Sequence, residues 1–559
     1  MKLKKYLLRK PSYLLRKDVF SIKLSQNNDL VRIDFKYDPA TVAAVKALPG
    51  ARFNKDYMGA YWTIPLHCLP QSFKKLNLSP GHLYPDCMKY LRPSFKGIRV
   101  DIKHDRVKIE GNNPKKLLRS LKDLCSIEYL QKDKVITETI GEVIYDNNNI
   151  IVFKYPPGLY WRILDFIRQC SIKPVVHPYP QSPSFNSVSI NISPRYYQED
   201  AVNKIISSQI NRGTLVMATG AGKTILAVMI TAALGLNTIF YTYSTDLLEQ
   251  TTQVFEEVFQ QKIGRVGGDC FDIQPITVAT VQTVYSCFEL KDERWDVLSG
   301  FLNDVNLMFI DEGHMLGAET LFKVSQITDA YYSYALTATP EREDGKELLI
   351  EAGTGPAINI ISEEELVKQG YILPVEVELI EVEHAKYTGR TYNTKYKRAI
   401  VNNEYRNNLI CDAVKRHQGK QIIVLIKEIK HGEKLSQKLN VPFIHGSSKD
   451  RTTTLDAFKN RHIHTLIASS ILKQGVDMPE AEVLVLAHGG SSQVELIQKI
   501  GRIRRPAPNK NKGIVIDFFD YCPIETNDTF RQQSYKRYAI YRQKNFTVRQ
   551  HALDVPAIV

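Results

Sequence analysis

Residues 214–234 read TLVMATGAGKTILAVMITAAL, and this stretch decides the fold of the region around it. The apolar residues 214–217 predict a buried strand, and residues 225–234 predict a helix. Between them, Gly220 and Gly222 allow successive backbone N–H groups to turn inward around a phosphate. The order of strand, glycine loop and helix therefore predicts a phosphate-binding unit in an α/β domain.

The loop itself, Ala218-Thr219-Gly220-Ala221-Gly222-Lys223-Thr224, has the residues of a Walker A motif. Lys223 supplies a positive charge for the β- and γ-phosphates of a nucleotide, and the Thr224 hydroxyl can bind Mg²⁺. The loop departs from the pattern G-x-x-x-x-G-K-[ST], because Met217 stands where the first glycine would be. The alternative is a glycine-rich turn with an accidental Lys-Thr pair, which the flanking strand and helix disfavour.

An acidic pair ends a second apolar run: LMFI at 307–310 is followed by Asp311-Glu312-Gly313-His314. Asp311 is placed to hold Mg²⁺ through a water molecule, and Glu312 can orient and deprotonate the water that attacks a phosphate. Alone, such a pair is weak support for a site. Downstream of a phosphate loop in the same α/β unit, it indicates nucleotide hydrolysis.

A basic motif follows much later in the chain, as Gln498-Lys499-Ile500-Gly501-Arg502-Ile503-Arg504-Arg505. The spacing of Arg502 and Arg505 places both on one face of a predicted helix, where their guanidinium groups can reach a single anionic site. Both are predicted to act as arginine fingers, which stabilise charge during phosphoryl transfer. Taken alone, the stretch also fits a solvated basic helix face.

Short apolar runs recur around these motifs and alternate with helical stretches. They include TLVMAT, TIFYTY, ITVAT, LMFID, YALTAT, IIVLI, TLIAS, VLVLA and IVIDF. Runs of this kind, without polar alternation, are typical of strands buried on both faces of a parallel sheet. They fall into two sets, at 186–375 and 376–529, and predict two tandem, doubly wound α/β domains.

The positive charge lies in residues 1–185. These residues contain 32 Lys and Arg against 16 Asp and Glu, a net charge of +16, whereas residues 186–559 contain 42 against 44, a net charge of −2. A concentrated positive field attracts polyanions, so the region is predicted to bind nucleic acid. A solvated basic face kept for solubility is the alternative.

Two small α+β units are predicted in this basic region, at about residues 30–80 and 97–172, from alternating strands and short helices. Residues 1–17 repeat YLLRK and are predicted to form a basic amphipathic arm. The Pro- and Ser-rich residues 173–194 are predicted to be a linker. At the other end, residues 530–559 predict a basic helical extension whose recurrent tyrosines fit either a DNA contact or packing on the second α/β domain.

The composition, 43% apolar and 24% charged, is that of a globular protein too long for one core. No apolar run approaches the ~20 residues that span a bilayer. The basic start is not followed by the apolar stretch of a signal peptide. The eight cysteines are scattered, without the spacing of a zinc site. We expect an intracellular protein with reduced cysteines.

In this order, the motifs over about residues 195–525 resemble those of superfamily 2 helicases and translocases. The resemblance implies two RecA-like domains and an ATP-dependent helicase that uses ATP and Mg²⁺. Catalytic roles are implied for Lys223, Asp311, Glu312, Arg502 and Arg505. ATP-binding roles are implied for Arg195, Gln198, Ala218, Thr219, Gly220, Ala221, Gly222, Lys223, Thr224, Gly475, Asp477, Arg502 and Arg505. Coupling of hydrolysis to movement is implied for His314, Thr337, Thr339 and Gln498, DNA contact for Ser244, Thr280, Gln282, Arg342 and Gln474, and Mg²⁺ binding for Thr224 and, through water, Asp311.

Several features of the resemblance concern the substrate. The D-E-x-H form points away from the common D-E-A-D RNA helicases. Arg342-Glu343-Asp344 is similar to the R-E-D element of XPB-like DNA helicases, and a small DNA-binding module before a compact motor is similar to phage branch-migration helicases. Residues 31–66 resemble the HARP-type motif of annealing helicases. The resemblance implies a monomer, without membrane association, that remodels forked, branched or duplex DNA in replication, recombination or repair.

Three other functions stay open. An RNA helicase would share the same motor core. The chain would also suit the motor subunit of a restriction or defence complex, whose nuclease would be a partner chain, since residues 1–185 contain no convincing P-D…E-x-K cluster. The third is a nucleic-acid-binding module with an inactive ATPase site, which the intact Lys223, Asp311 and Glu312 argue against.

Overall fold

The structure is a computed structural model of the 559-residue chain. It describes residues 20–24, 30–35, 45, 51–56, 59–65, 97–131, 134–146, 150–170, 172–207, 210–317, 319–338, 346–385, 389, 391–448, 450–469, 481–508, 510–525 and 528–551. The basic arm predicted at 1–17 lies outside these residues, as do the R-E-D element at 342–344 and residues 474–477. In the part of the chain that is described, no helix is long and apolar enough to cross a membrane.

The N-terminal region contains two small sheets and a separate hairpin. Its strands are β1 (Phe20–Leu24), β2 (Leu30–Phe35), β3 (Arg52–Asp56), β4 (Gly59–Pro65), β5 (Ile98–Ile102), β6 (Arg106–Gly111), β7 (Ser126–Gln131), β8 (Lys134–Thr139), β9 (Glu142–Tyr145), β10 (Ile151–Lys154) and β11 (Val175–Val176). The first sheet is antiparallel, with the order β1-β2-β4-β3. The second has the order β11-β5-β6-β10-β9, in which β11 runs parallel to β5, and β7 pairs with β8.

Two helices cover the second sheet, α1 (Pro114–Leu124) and α2 (Tyr160–Gln169). Helix α1 begins with a proline, which has no N–H to leave unbonded in the first turn, and buries Leu117, Leu121 and Leu124 at helical spacing. The same apolar core includes Ile33 and Trp62 of the first sheet, so the two N-terminal units pack together. Trp62, only 9% exposed, is a core residue and not a platform for a nucleic-acid base.

The first α/β domain is built on an eight-stranded sheet. Its strands are β12 (Arg212–Val216), β13 (Thr238–Thr242), β14 (Gly264–Gly267), β15 (Cys270–Asp272), β16 (Ile276–Thr280), β17 (Leu307–Ile310), β18 (Tyr332–Thr337) and β19 (Ala357–Asn359). Its helices are α3 (Tyr196–Ser207), α4 (Lys223–Leu234), α5 (Thr245–Phe259), α6 (Val281–Leu290), α7 (Glu293–Asp304), α8 (Glu319–Thr328), α9 (Glu347–Thr354) and α10 (Glu363–Lys368). The order is β15-β14-β16-β13-β17-β18-β12-β19, and the β14–β15 pair is antiparallel within an otherwise parallel sheet.

The second α/β domain has a seven-stranded sheet. Its strands are β20 (Val375–Glu383), β21 (Ile422–Leu425), β22 (Phe443–Ile444), β23 (Thr465–Ala468), β24 (Val483–Leu486), β25 (Gly513–Tyr521) and β26 (Thr547–His551). Its helices are α11 (Tyr392–Tyr396), α12 (Glu404–Arg416), α13 (Ile429–Leu439), α14 (Arg451–Lys459), α15 (Gln493–Arg502) and α16 (Thr529–Gln543), with a π-helical turn at Lys397–Val401. Its order is β22-β23-β21-β24-β25-β20-β26, with all described pairings parallel.

The predicted fold class is confirmed: two parallel-sheet α/β domains follow small α+β units. The apolar runs that predicted strands are strands, and β13, β16, β17, β18 and β24 are buried along their whole length. Such runs bury on both faces because helices cover both sides of the sheet.

The linker predicted at 173–194 is held against the first α/β domain. The N–H groups of Asn186 and Val188 donate to the carbonyls of Leu234 and Ala232, at 3.1 and 2.8 Å. A Cβ on Gly235 would stand 1.8 Å from the Asn186 carbonyl oxygen, so this glycine permits the close approach. The segment therefore follows the domain surface and does not act as a free tether.

Residues 530–551 of the predicted C-terminal extension belong to the second domain, so a separate extension does not begin at residue 530; residues 552–559 lie outside the described residues. Strand β26 pairs parallel with β20 and forms the edge of the sheet. Helix α16 buries Phe530, Ile540 and Tyr541. Of the two roles predicted for this stretch, packing on the second domain is the observed one, because its tyrosine and aliphatic face covers the β25 side of the sheet.

We expect that replacing Arg537 by methionine destabilises the second domain by about 3–5 kcal/mol, because it removes the buried ion-pair partner of Asp517, which keeps only uncharged donors such as the Tyr541 hydroxyl. Arg537 lies in α16, is 3% exposed and donates to Asp517 at 2.8 Å and to the Gly490 carbonyl at 2.6 Å. Denaturant titration measures the loss. The exposed neighbour Lys536 supplies the matched control, Lys536→Met, which should change stability by less than about 0.5 kcal/mol. Equal effects of the two variants would contradict the role given to Arg537.

Candidate active site

The phosphate loop connects β12 to α4, as the strand–loop–helix pattern predicted. Gly220 and Gly222 have φ values of +86° and +79°, which side-chain-bearing residues rarely adopt. Lys223 is the first residue of α4, and Thr224 follows it in the first turn. The backbone N–H groups at this helix start and the Lys223 charge together make an anion site.

Met217, which stands where the Walker pattern has its first glycine, continues β12 and does not belong to the phosphate loop. Its side chain is fully buried in the core, and its N–H donates to the Thr337 carbonyl at 2.9 Å. The residue thus continues β12 beside β18, and the phosphate loop proper begins at Ala218. Thr219 Oγ1 in this loop is buried and has no hydrogen-bond partner among the described residues. A phosphate oxygen is a partner that this hydroxyl would accept.

The acidic pair follows β17 and lies beside the phosphate loop, because β18 alone separates β17 from β12 in the sheet. Burial and the neighbouring Glu312 charge raise the pKa of Asp311 to about 6, and Lys223 acts in the opposite direction. The N–H of Glu312 donates to Asp311 Oδ1 at 2.9 Å. A carboxylate destabilised in this way is stabilised by a cation.

Glu312 has a left-handed backbone, with φ of +50°. Non-glycine residues in this conformation are strained, and such strain concentrates at functional sites. Its carboxylate Oε2 lies 3.3 Å from His314 Nδ1, and the same ring nitrogen lies 3.4 Å from Thr337 Oγ1. The structure thus joins Glu312 to Thr337 through the buried His314, and these are three residues for which the resemblance implied catalysis or coupling.

The segment before α3 also reaches the phosphate loop. Gln198 is buried, accepts from the Arg195 N–H at 2.9 Å and donates to the Gly222 carbonyl at 3.2 Å. Arg195 donates to the Gly220 carbonyl at 3.2 Å, and its guanidinium carbon lies 4.6 Å from the centre of the Tyr371 ring. Arg195 and Gln198 therefore line and brace the loop. Tyr371, which the sequence analysis did not identify, becomes recognisable only through this stacking.

The two arginines predicted as fingers, Arg502 and Arg505, face the first domain. Burial lowers the pKa of Arg502, and the Glu312 carboxylate opposes this effect, which places the guanidinium near Glu312. Burial also lowers the pKa of Arg505, and the positive charge of Arg195 lowers it further. Both arginines thus approach the site from the second domain, from the side that the sequence predicted.

The helix that carries them is shorter than predicted. Helix α15 ends at Arg502, and Arg505 lies in the turn that follows, so the two arginines do not share one helix face. Pro506 disfavours helical geometry at the residue before it. Arg504 also holds the turn, by donating to the Leu373 carbonyl at 2.9 Å and pairing with Glu363. Gln498 lies within α15 and is half-buried.

The two α/β domains meet at the phosphate loop. A Cβ on Gly501 would stand 2.5 Å from Thr219 Cγ2, so the basic motif packs directly on the loop and only glycine fits there. This contact was not predicted, because residues 219 and 501 lie in different domains. It brings Lys223, Glu312 and Arg502 to one cleft.

The predicted DNA contacts of the first domain lie at the ends of two adjacent strands, β13 and β16. Ser244 caps α5 by accepting from the Leu247 N–H at 3.3 Å. Thr280 is buried and its hydroxyl donates to Thr283 at 2.8 Å, whereas Gln282 is exposed and donates to the Tyr243 carbonyl at 3.2 Å. Of the three, Gln282 presents its side chain most openly. The predicted site residues Thr339, Arg342, Gln474, Gly475 and Asp477 lie outside the described residues.

Two family profiles match the parts of the chain that carry these motifs. The profile described as "Type III restriction enzyme, res subunit" matches residues 191–342, and the profile "Helicase conserved C-terminal domain" matches residues 405–507. The first contains the phosphate loop and the acidic pair. The second ends just after Arg505.

Curated relatives match the same region. The DNA 3'-5' helicase XPB of Kineococcus radiotolerans is 28% identical over 373 residues, which cover 63% of this chain and 62% of the relative, so the match spans less than two thirds of that protein. Putative helicase 22 of Sulfolobus islandicus filamentous virus is 25% identical over 415 residues, covering 68% of this chain and 72% of the relative. The structure of the ATP-dependent Type ISP restriction-modification enzyme LlaBIII bound to DNA covers 65% of this chain and 31% of its own, at 14% identity and a TM-score of 0.51, a likeness of fold.

Proposed function

We propose that the chain is a superfamily 2 DNA helicase, similar to XPB-like proteins, that hydrolyses ATP to move along DNA and open forked or branched duplexes. The observation that carries the proposal is the contact between Gly501 and Thr219, since it places the phosphate loop of one domain against the basic motif of the other. A nucleotide bound there touches both domains. Its hydrolysis is therefore able to change how they are held together.

The residues of the cleft divide the chemistry between them. Lys223 and the backbone of the phosphate loop bind the β- and γ-phosphates, and Glu312 orients and deprotonates the attacking water. Arg502 and Arg505 stabilise the charge that develops on the transferred phosphoryl group. His314 positions Glu312 and passes the state of the site to Thr337 at the end of β18.

Mg²⁺ fits the residues present. Asp311 is a carboxylate whose pKa is raised to about 6 by burial and by Glu312, so a nearby cation would stabilise its charged form. We propose that Thr224 and, through water, Asp311 hold the ion. When bound, Mg²⁺ neutralises phosphate charge and helps to orient the nucleotide for hydrolysis.

The substrate is assigned to DNA with a fork or junction because of the N-terminal region. Its net charge of +16 supports phosphate contacts, while residues 186–559 carry −2. Trp161 is 46% exposed on α2 and is available for stacking on an unpaired base. The relative whose printed name is DNA 3'-5' helicase XPB supports 3'-to-5' movement.

An unwinding assay tests this proposal. The full chain is given ATP with forks, four-way junctions, simple duplexes with 3' or 5' overhangs, and matched RNA substrates. We expect forks and junctions to be opened most readily, a preference for 3' overhangs, and stronger stimulation of ATP hydrolysis by DNA than by RNA. Equal activity on the RNA substrates would contradict the assignment to DNA.

A second candidate is the motor subunit of a restriction or defence complex. It is favoured by the matching profile described as "Type III restriction enzyme, res subunit". Such a motor would hydrolyse ATP and move along duplex DNA without opening forks by itself. ATP hydrolysis stimulated by plain duplex, together with no strand separation in the assay above, would select this candidate.

The N-terminal region should provide the affinity for branched DNA. Substituting its exposed basic side chains tests this and leaves its apolar core intact. Lys115 and Arg119 are exposed on α1. We expect the Lys115→Gln/Arg119→Gln protein to bind forks more weakly and to reduce the salt slope of binding by about one for each phosphate that is no longer neutralised. Fork affinity measured by anisotropy between low and moderate salt shows the change. Lys204 is exposed in the first α/β domain, from here on called the first motor domain, and Lys204→Gln is the matched control. An unchanged salt slope in the double variant would exclude α1 from the DNA-binding surface.

A further inference from the structure

The turn Pro157–Leu159, before α2, sits tightly on helix α9 of the first motor domain. A Cβ on Gly158 would stand 2.0 Å from the Glu351 carbonyl oxygen and 2.7 Å from that of Ala352, so no side chain fits between turn and helix. Leu349 and Ala352 of α9 belong to the same apolar core as α1 and α2. The second N-terminal unit and the motor therefore share a packed interior.

An ion pair fixes the orientation of this contact. Arg162 of α2 donates from Nε to Glu351 Oε1 at 2.8 Å and from NH2 to Glu351 Oε2 at 2.5 Å. The side chains are 24% and 19% exposed. Burial lowers the pKa of Arg162, but the hydrogen bonds and charge of Glu351 raise it on balance. A paired guanidinium and carboxylate impose a direction on the contact as well as an attraction.

The last turn of α9 also touches the nucleotide machinery. Thr354 Oγ1 lies 3.2 Å from Thr214 Oγ1 on β12, the strand that leads into the phosphate loop. A Cβ on Gly353 would stand 2.9 Å from Leu316 Cδ2, two residues after His314. Helix α9 is thus packed between the N-terminal region and the backbone that holds the phosphate loop and the acidic pair.

Two further contacts join the N-terminal region and the linker to the first motor domain. Lys346, just before α9, has its ammonium nitrogen 3.9 Å from the centre of the Tyr129 ring. Ser182 Oγ in the linker lies 3.0 Å from the Tyr332 hydroxyl on β18. Together with the Arg162–Glu351 ion pair, these contacts attach the N-terminal region and the linker to the first motor domain at three separate points. Three points define a rigid connection, whereas a single point would allow a hinge.

We propose that α9 locks residues 97–172 to the first motor domain as one rigid body, with Arg162 and Glu351 as the positioning pair. The proposal rests on the function proposed above. DNA held by the N-terminal region then moves with the first motor domain. ATP-driven closure changes the distance between this DNA and the second motor domain, but not the distance between this DNA and the first. Strand separation occurs because the second domain pulls one strand against a duplex that this body holds.

Charge reversal at the pair tests the coupling. We expect Arg162→Glu and Glu351→Arg each to keep DNA-stimulated ATP hydrolysis within about twofold and to open about tenfold fewer base pairs per ATP, because each leaves like charges facing one another in a mostly buried contact. The double reversal should recover most of the loss. Arg168 is exposed on the same helix α2, and Arg168→Glu is the matched control that should behave as the unaltered chain does.

Two results would overturn the proposal. Unwinding by either single variant at the rate of the unaltered chain would show that the ion pair does not position the second N-terminal unit. A parallel loss of ATP hydrolysis and unwinding would show that α9 serves the motor core and not the coupling. Fork opening by the unaltered chain is measured before any variant is compared. If the unaltered chain opened no forks, the proposed function itself would be wrong.

Distances measured in the full chain provide a test that does not depend on the folding of the charge variants. One label is attached to a Tyr145→Cys substitution in the second N-terminal unit and the other to the exposed Cys270 in the first motor domain, after Cys68 and Cys87 are replaced by serine. With DNA and a non-hydrolysable ATP analogue, this distance should stay constant. The distance from Tyr145→Cys to Ile524→Cys in the second domain, in a Cys270→Ser background, should change. A nucleotide-dependent change in the first distance would overturn the rigid connection.

Discussion

The Glu312→Gln protein is expected to bind ATP and DNA as the unaltered chain does and to hydrolyse ATP ~10²–10⁴-fold more slowly. Glutamine has nearly the same shape as glutamate but does not accept a proton from the attacking water. Phosphate release at saturating ATP and DNA measures the loss, and a fluorescent nucleotide measures binding.

Glu319 supplies the control for this experiment. It is exposed at the start of α8, in the same domain, and Glu319→Gln changes the same charge without approaching the cleft. We expect its turnover to match that of the unaltered chain. Turnover near normal in Glu312→Gln would mean that another group activates the water, and the assignment of this residue would be wrong.

Replacing Arg505 by alanine is expected to slow ATP hydrolysis by ~10³–10⁵-fold while changing ATP affinity little. The physical reason is that a finger from the opposite domain stabilises charge that develops only in the transition state. Burial and the charge of Arg195 in the first domain both lower the pKa of Arg505, as is expected of an arginine that approaches the first domain. The ratio of kcat to KM effects under saturating DNA separates this role from ground-state binding.

Arg504 and Arg531 provide two comparisons. Arg531 is exposed on α16, so Arg531→Ala should leave ATP hydrolysis unchanged. Arg504 is buried and holds the turn through Leu373 and Glu363, so Arg504→Ala should lower stability as well as turnover. An Arg505→Ala effect confined to KM would show that Arg505 binds the ground state and is not a finger.

The parts of the site that follow strands of one parallel sheet could be predicted from the sequence. Asp311 and Thr337 stand at the carboxyl ends of β17 and β18, and Lys223 follows the loop that leaves the carboxyl end of β12; an apolar run in the sequence marks each of these strands. Parallel strands bring their carboxyl ends to one edge, so the assembly of these residues follows from the order of elements. The predicted strands of both domains are present for the same reason.

Local features without a periodic signal were predicted less well. The helix of the basic motif was expected to extend through Arg505, but it ends at Arg502, where Pro506 and the contacts of Arg504 compete with helical geometry. The stretch after residue 529 has a basic, tyrosine-rich pattern that suits a solvent-exposed arm as well as a packed helix. Its pairing with β20 decides between them, because an edge strand is stabilised by a neighbour that its own sequence does not specify.

The sequence by itself determined the fold class and the tandem pair of parallel-sheet domains, and it predicts the residues that carry nucleotide chemistry, because apolar periodicity and loop composition act over a few neighbouring residues. Only the tertiary structure decided that Gly501 packs on Thr219 and that Gly158 and Arg162 dock on α9. Such contacts join residues far apart in the chain, and they depend on the fit of two packed surfaces at ångström precision. Hydrophobic patterning and motif spacing place a residue on a surface but do not say which distant surface will meet it.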